Sequence, residues 1–203
     1  MDTRERICCI ILSAGNSGRM GMHKALLPFG DENLTFLEKI VGSYLSAGIH
    51  QVIIVVNSSL YKLIKAGPLA LPEEVKLVVN SHPENGRFYS LQTGLKHVGA
   101  GSYVFVQNAD NPFTEPGLLL NMIDNRTKAG VIIPSYSGKS GHPVLLNPVI
   151  CESVLQCNNP GTRLDYFLRG FPSYIVESDN SRILVNINTP ADYRREFEGR
   201  MLD

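Results

Sequence analysis

Residues 11–30, ILSAGNSGRMGMHKALLPFG, hold four glycines, Arg19 and Lys24, and no acidic residue before Asp31. Small side chains at Ser13, Ala14 and Gly15 let a flat or bulky group approach the backbone. A glycine-rich turn presents N–H groups to an anion, and Arg19 and Lys24 add cationic donors suited to phosphate oxygens. Gly15, Gly18 and Gly21 recur every third residue, which is not the dinucleotide GxGxxG spacing. Nor is the stretch a Walker A loop, because Lys24 lies three residues past the last of these glycines and no Ser or Thr follows it. The structural alternative is a flexible surface loop with two solvated cations. Its position favours a ligand: it follows an apolar run, and open α/β sheets bind ligands beyond the carboxyl ends of their strands.

The elements that must position this loop are short apolar runs. Ile7–Leu12, Gln51–Val56, Val75–Val79, Ser102–Val106, Gly130–Pro134 and Pro143–Leu146 are unbroken rather than alternating, as strands buried on both faces of a parallel sheet are. Tyr174–Val176 and Arg182–Val185 read as further short strands, a hairpin or an added edge. Helical spacing marks Leu34–Ala47, Phe88–Val98 and Pro116–Lys128, and TPADYRREF starts a last helix with Thr189 as N-cap and Pro190 at its first position. Alternating strand and helix with short connectors predicts an α/β doubly wound sheet. With no linker, repeat or low-complexity tract in view, residues 1–203 are expected to form one domain.

Composition narrows the function classes. The 203 residues are 43% hydrophobic and 19% charged, with zero formal net charge, which argues against a broad nucleic-acid or anionic-membrane surface. No apolar stretch approaches the roughly 20 residues of a membrane span, and MDTRER leads into ICCIIL without a cleavage-site pattern. Cys8, Cys9, Cys151 and Cys157 form no CxxC pair, so reduced, buried thiols in a cytoplasmic protein are expected.

The loop carries a resemblance as well. LSAGNSGRMGMHKALLPFG resembles the signature of the molybdenum-cofactor nucleotidyltransferase family, LAAG-x-S-x-R-M-G-x-x-K-x-L-L-P, with Ser13 in place of an alanine. The resemblance implies a Rossmann-like three-layer α/β/α sandwich with a mostly parallel central sheet, as in nucleotide-diphospho-sugar transferases. It implies that Leu12, Ser13, Ala14, Gly15, Arg19 and Lys24 bind a nucleoside triphosphate. Asp110, in QNADNPF just past a buried run, is similar to the family's G-D-Q-P aspartate and is expected to bind Mg²⁺, a cation satisfied by one or two carboxylates with phosphate oxygens and water. An Asx-turn or capping role is its structural alternative.

VNINTPADY resembles the family's N-I-N-T-P-E-D segment, which makes Asn188, or Asn186 two residues earlier, the second metal contact. Asn57 and Asn80 end two strands where related enzymes keep polar residues beside the base or ribose; asparagines there are also ordinary turn formers. ENGRFYSLQTGL is similar to E-x-G-M-x-x-S-L-x-x-G of the cytidylyltransferase branch, which puts Ser90 in the first turn of a helix near the base. SGHPVLL resembles R-G-H-P-V-L-F, with Ser140 where arginine is usual, and NNPGTRLDY resembles G-D-x-G-A-R, with Asn159 for the aspartate. Both segments would flank the acceptor, with His142 donating to its phosphate or simply packing.

The implied reaction is nucleotidyl transfer to a phosphorylated small molecule, most directly molybdopterin, with release of pyrophosphate. Arg19 and Lys24 would be its catalytic cations, and no strong general base is required. Leu12-Ser13-Ala14-Gly15 keeps the alanine of CTP-using relatives, whereas the N-I-N-T-P segment leans toward the guanylyl branch, so CTP is preferred and GTP stays open. A different phosphate acceptor, such as a sugar phosphate, and a nucleotide-binding regulator without turnover are the alternatives. A molybdoenzyme or its chaperone would be a transient partner.

Overall fold

Along the first strand, successive side chains enter two different cores. Cys9 and Ile11 join Leu37, Ile40 and Tyr44 on one side, whereas Cys8, Ile10 and Leu12 join Phe88, Leu91 and Ile150 on the other. A strand's side chains alternate in direction, so a strand buried on both faces must be apolar throughout. That is why this run shows no alternation in the sequence.

The computed structural model describes residues 6–15, 23–67, 69, 71–159 and 161–198. In chain order the elements are β1 (Ile7–Ser13), α1 (Phe36–Ser46), β2 (Gln51–Val56), α2 (Ser58–Ala66), β3 (Val75–Val79), α3 (Gly86–Leu95), β4 (Tyr103–Asn108) and α4 (Pro116–Asp124). They continue with β5 (Val131–Tyr136), β6 (Lys139–Ser140), β7 (Val144–Leu146), α5 (Pro148–Gln156), α6 (Leu164–Leu168), β8 (Ser173–Glu177) and α7 (Pro190–Phe197). The sheet order is β3-β2-β1-β4-β7-β5-β6, with β8 also paired to β5. Strands β1 to β4 are parallel; β7 runs antiparallel between β4 and β5, and β8 is parallel to β5. Helices α1, α2 and α4 cover one face, and α3, α5 and α6 the other. The fold is therefore the expected mixed α/β sandwich with a mostly parallel central sheet.

The close approach of α3 has a visible cause. A Cβ at Gly94 would lie 2.8 Å from Ile10 Cγ2 and 3.0 Å from Val55 Cγ2, so only glycine lets this helix settle onto β1 and β2. The last helix begins as its sequence predicts: Thr189 caps it, Pro190 is its first residue, and Asp192 closes a capping box. Phe29, Phe36, Phe113, Tyr193 and Phe197 form a separate aromatic cluster that fastens α7 to the region after β1.

Two expectations are corrected. Arg182–Val185 is not a strand: Ser181–Leu184 is a 3-10 turn. The Asn180 side chain accepts from the N–H of Arg182, and the Asn111 amide donates to the carbonyls of Arg182, Ile183 and Val185, so side chains satisfy backbone that a ladder would otherwise use. Helix α3 begins at Gly86 and ends at Leu95, so Ser90 stands in its second turn, not its first. Helices α2 and α5 are each announced by an asparagine cap, Asn57 and Asn147. No helix of the described residues is long and apolar enough to cross a membrane.

Candidate active site

The carboxyl ends of β1 and β4, neighbours in the sheet, deliver their following loops to one place. Leu12, Ser13, Ala14 and Gly15 from the first, Asn108 and Asp110 from the second, line a cleft of about 190 Å³ together with Lys24 and Ser90. A Cβ at Gly15 would meet no atom of the described residues within 4 Å.

A buried amide shapes the loop that carries Asp110. Gln107, fully buried at the end of β4, accepts from Tyr44 Oη (3.1 Å) and Thr114 Oγ1 (2.7 Å). It donates to the carbonyls of Asn108 and Asn111, both at 2.9 Å. All its polar capacity is used, which is what a buried amide needs. On the outer side of the same loop, Asn111 donates to three carbonyls of the 182–185 segment, and the Ile187 N–H donates to the Asp110 carbonyl at 2.7 Å. The segment bearing Asn186 and Asn188 is thus tied to the loop bearing Asp110, although some 75 residues separate them.

Lys24 joins the two. Its Nζ donates to Asn188 Oδ1 at 2.6 Å and lies 3.8 Å from Asp110 Oδ2, with the lysine side chain 19% and the aspartate side chain 28% exposed. Asp110 Oδ1 and Asn186 Oδ1 are buried and meet no hydrogen-bond donor among the described residues. An orphaned carboxylate oxygen on Asp110, with an orphaned amide oxygen on the segment tied to its loop, suits a hard divalent cation. Among the described residues no group of three or more His, Cys, Asp or Glu could hold a metal alone, so such an ion would need oxygens from a ligand or water.

A second cavity, of about 470 Å³, adjoins the cleft and shares Arg87 and Asn108 with it. His142, Ser140, Val144 and Leu164 are among its lining residues. Burial holds the His142 imidazole below its ordinary range; Asp110 opposes this and Arg87 reinforces it. The ring Nε2 lies 3.2 Å from Asn108 Nδ2, which can only donate, so Nε2 accepts and only Nδ1–H is left as a donor.

The remaining predicted residues are accounted for less evenly. Asn57 caps α2 through Leu60 N–H and donates to the Ala14 carbonyl at 3.2 Å; it supports the loop and does not line the cleft. Asn80, 1% exposed, donates to Ser90 Oγ and accepts from His82 N–H. Arg19, with Gly18 and Gly21, lies outside the described residues. Sequence reasoning did not nominate Gln107, Asn108, Asn111 or Arg87. The first three stand in and beside QNADNPF, where a polar residue inside an apolar run was the available signal. Arg87 occupies the methionine position of the segment quoted for Ser90.

Curated relatives cover nearly the whole chain. The molybdenum cofactor cytidylyltransferase of Escherichia coli (strain K12) is 27% identical over 187 residues, 92% of this chain and 93% of that protein. A probable molybdenum cofactor guanylyltransferase of Carboxydothermus hydrogenoformans is 24% identical over 203 aligned residues, 94% of this chain and 95% of that one. Among solved structures, Rv0371c from Mycobacterium tuberculosis H37Rv superposes with a TM-score of 0.82 at 24% identity, over 95% of this chain and 97% of its own, which speaks for the fold alone. The family model described as the MobA-like NTP transferase domain matches residues 9–171. With Cys9 of β1 through α6 inside that match and the cleft formed at the ends of β1 and β4, the chain belongs to the MobA-like NTP transferase domain family.

Proposed function

We propose that this nucleotidyltransferase moves a nucleoside monophosphate, CMP from CTP, onto the terminal phosphate of a molybdopterin-type acceptor and releases pyrophosphate. The observation that carries the reading is the meeting of Lys24, Asp110 and Asn188 within hydrogen-bond and ion-pair distance at one cleft mouth.

The triphosphate would lie along Leu12–Gly15, the four residues of the first strand and its turn that line the cleft. An oxygen of the acceptor phosphate attacks the α-phosphorus in line as the bond to the pyrophosphate oxygen breaks. The attacking oxygen is already anionic, so no side chain has to remove a proton. Lys24 exchanges its contact with Asn188 for the α-phosphoryl oxygens, and Arg19 takes the departing pyrophosphate. Asp110, with Asn188 or Asn186, would hold Mg²⁺, which when bound neutralises phosphate charge and lowers the repulsion between the two anionic reactants. Positioning and fixed charge do the remaining work. The acceptor would occupy the larger cavity beside His142, whose Nδ1–H is its available donor. A molybdoenzyme or its chaperone would collect the product.

GTP as donor is the second reading, because the curated relatives divide between cytidylyl and guanylyl transferases. Pyrophosphate release measured with each NTP, molybdopterin and Mg²⁺, with the product identified by mass, tests both. Product from CTP in preference to GTP is expected. Turnover with GTP alone replaces the first reading by the second, and no turnover with any NTP defeats both.

A further inference from the structure

Arg87 stands second in α3, lines both the nucleotide-side cleft and the larger cavity, and makes no hydrogen bond or ion pair with any described residue. Among the described residues no carboxylate pairs with it, although Asp110 lines the same cleft. Of the larger cavity's charged lining residues, Asp165 is already held by Arg163 through two hydrogen bonds, at 3.2 and 3.1 Å, while Arg87 and Arg169 are both exposed cations. His142, in the same cavity, has its charged form disfavoured by burial, and its Nε2 is already engaged by Asn108. The chain as a whole has no net charge, so this positive excess is local to the cavity. Much of the remaining wall is apolar, with Val106, Val131, Ile133, Val144, Leu164 and Leu168, beside the polar Asn108, Ser140 and Ser173. A guanidinium free to form two parallel bonds, set at the mouth of an apolar chamber, matches a phosphate monoester borne on a flat, largely apolar body.

We infer that Arg87 is the anion-binding residue of the acceptor side, where it grips the acceptor's phosphate at the junction of the two cavities and holds it toward the nucleotide. The assignment deepens the function proposed above and rests on it for the identity of the acceptor, but not for the anion site itself. Arg87 adds to affinity for the acceptor and not for the nucleotide, whose phosphates have Lys24 at the other wall of the cleft.

Steady-state pyrophosphate release by the full chain, with Arg87→Met and Arg87→Lys beside the parent, tests this. Arg87→Met should raise the KM for molybdopterin tenfold or more and change the KM for the NTP less than twofold. Arg87→Lys should fall between, because a lysine keeps the charge without the fork. An unchanged acceptor KM overturns the inference, and so does an NTP KM that rises as much as the acceptor's. If the parent gives no pyrophosphate with molybdopterin, the proposed function fails, and phenyl phosphate titrated against the Ser140 and Gly141 amide resonances then decides the inference. Binding by the parent that weakens tenfold in Arg87→Met upholds it; equal binding by both, or binding by neither, overturns it. Melting temperatures within about a degree are expected, since Arg87 makes no contact that folding needs.

Discussion

The two cavities differ in how they are built. The smaller one is polar where it matters and held by bonds that leave little freedom: Gln107 fixes the Asp110 loop from within, Asn111 fixes it from outside, and Lys24 bridges it to Asn188. The larger one is a chamber of aliphatic side chains with a histidine whose charged form burial disfavours and two exposed arginines at its edges. In the proposed reaction the first would serve the chemistry that every substrate shares, the second whichever body has to fit. Rigid polar preorganisation stabilises charge at low reorganisation cost, whereas an apolar wall discriminates mainly by shape.

The comparison breaks most sharply at Lys24 and Asp110. Lys24→Ala and Asp110→Ala should each lower pyrophosphate release by roughly 100-fold or more, as loss of a preorganised charge does in other enzymes. If either variant keeps near-parental turnover, the smaller cavity is not the reaction centre. A smaller effect is expected across the boundary. His142→Ala should raise the acceptor KM by about tenfold with the NTP KM unchanged, because uniform binding is lost and not transition-state stabilisation. Equal changes in both constants would mean that the two cavities do not divide the substrates.

A third test concerns the strap that carries Asn186 and Asn188. Asp192 Oδ2 accepts from the N–H groups of Asn188 and Thr189 and from the Thr189 hydroxyl, and Oδ1 accepts from Arg195. The Thr189 hydroxyl bond foremost, then the backbone and Arg195 bonds, lower its carboxyl to about 2. A carboxylate depressed on folding adds stability that is whole above its unfolded value near 4 and is lost as pH falls through about 2. Asp192→Ala should therefore cost about 1 kcal/mol at neutral pH, as loss of a cap does. The gap between parent and variant melting curves should shrink toward zero between pH 4 and pH 2. A gap that widens on acidification would refute the assignment. The smallest effect is expected at the buried cysteines: burial pushes the thiols of Cys8 in β1 and Cys151 in α5 up to about 12, so thiol reagents should modify half-buried Cys157 and leave those two untouched in the native protein.

Legibility followed locality. Leu12–Gly15 and Lys24 were readable because one strand and its loop bring them together, and Asp110 because a carboxylate after an apolar run needs no partner to be noticed. Strands Gln51–Val56 and Val75–Val79 match their apolar runs to the residue. Arg182–Val185 misled because its apolar residues look like a strand, while the side chains that claim its backbone lie some 70 residues away or just before it. Arg87 was hidden because an exposed arginine on a helix is ordinary until the two cavities it borders are known.

By itself, then, the sequence determined the alternation of elements, the buried sheet, the caps of the last helix and the chemical kind of the first loop, all properties carried by neighbouring residues. Only the tertiary structure decided that Lys24 meets Asn188, that Gln107 and Asn111 hold Asp110 between core and strap, and that Arg87 stands between two cavities. Those contacts join segments far apart in the chain, and side-chain hydrogen bonds of two or three ångströms have no signature in the spacing of residues along it.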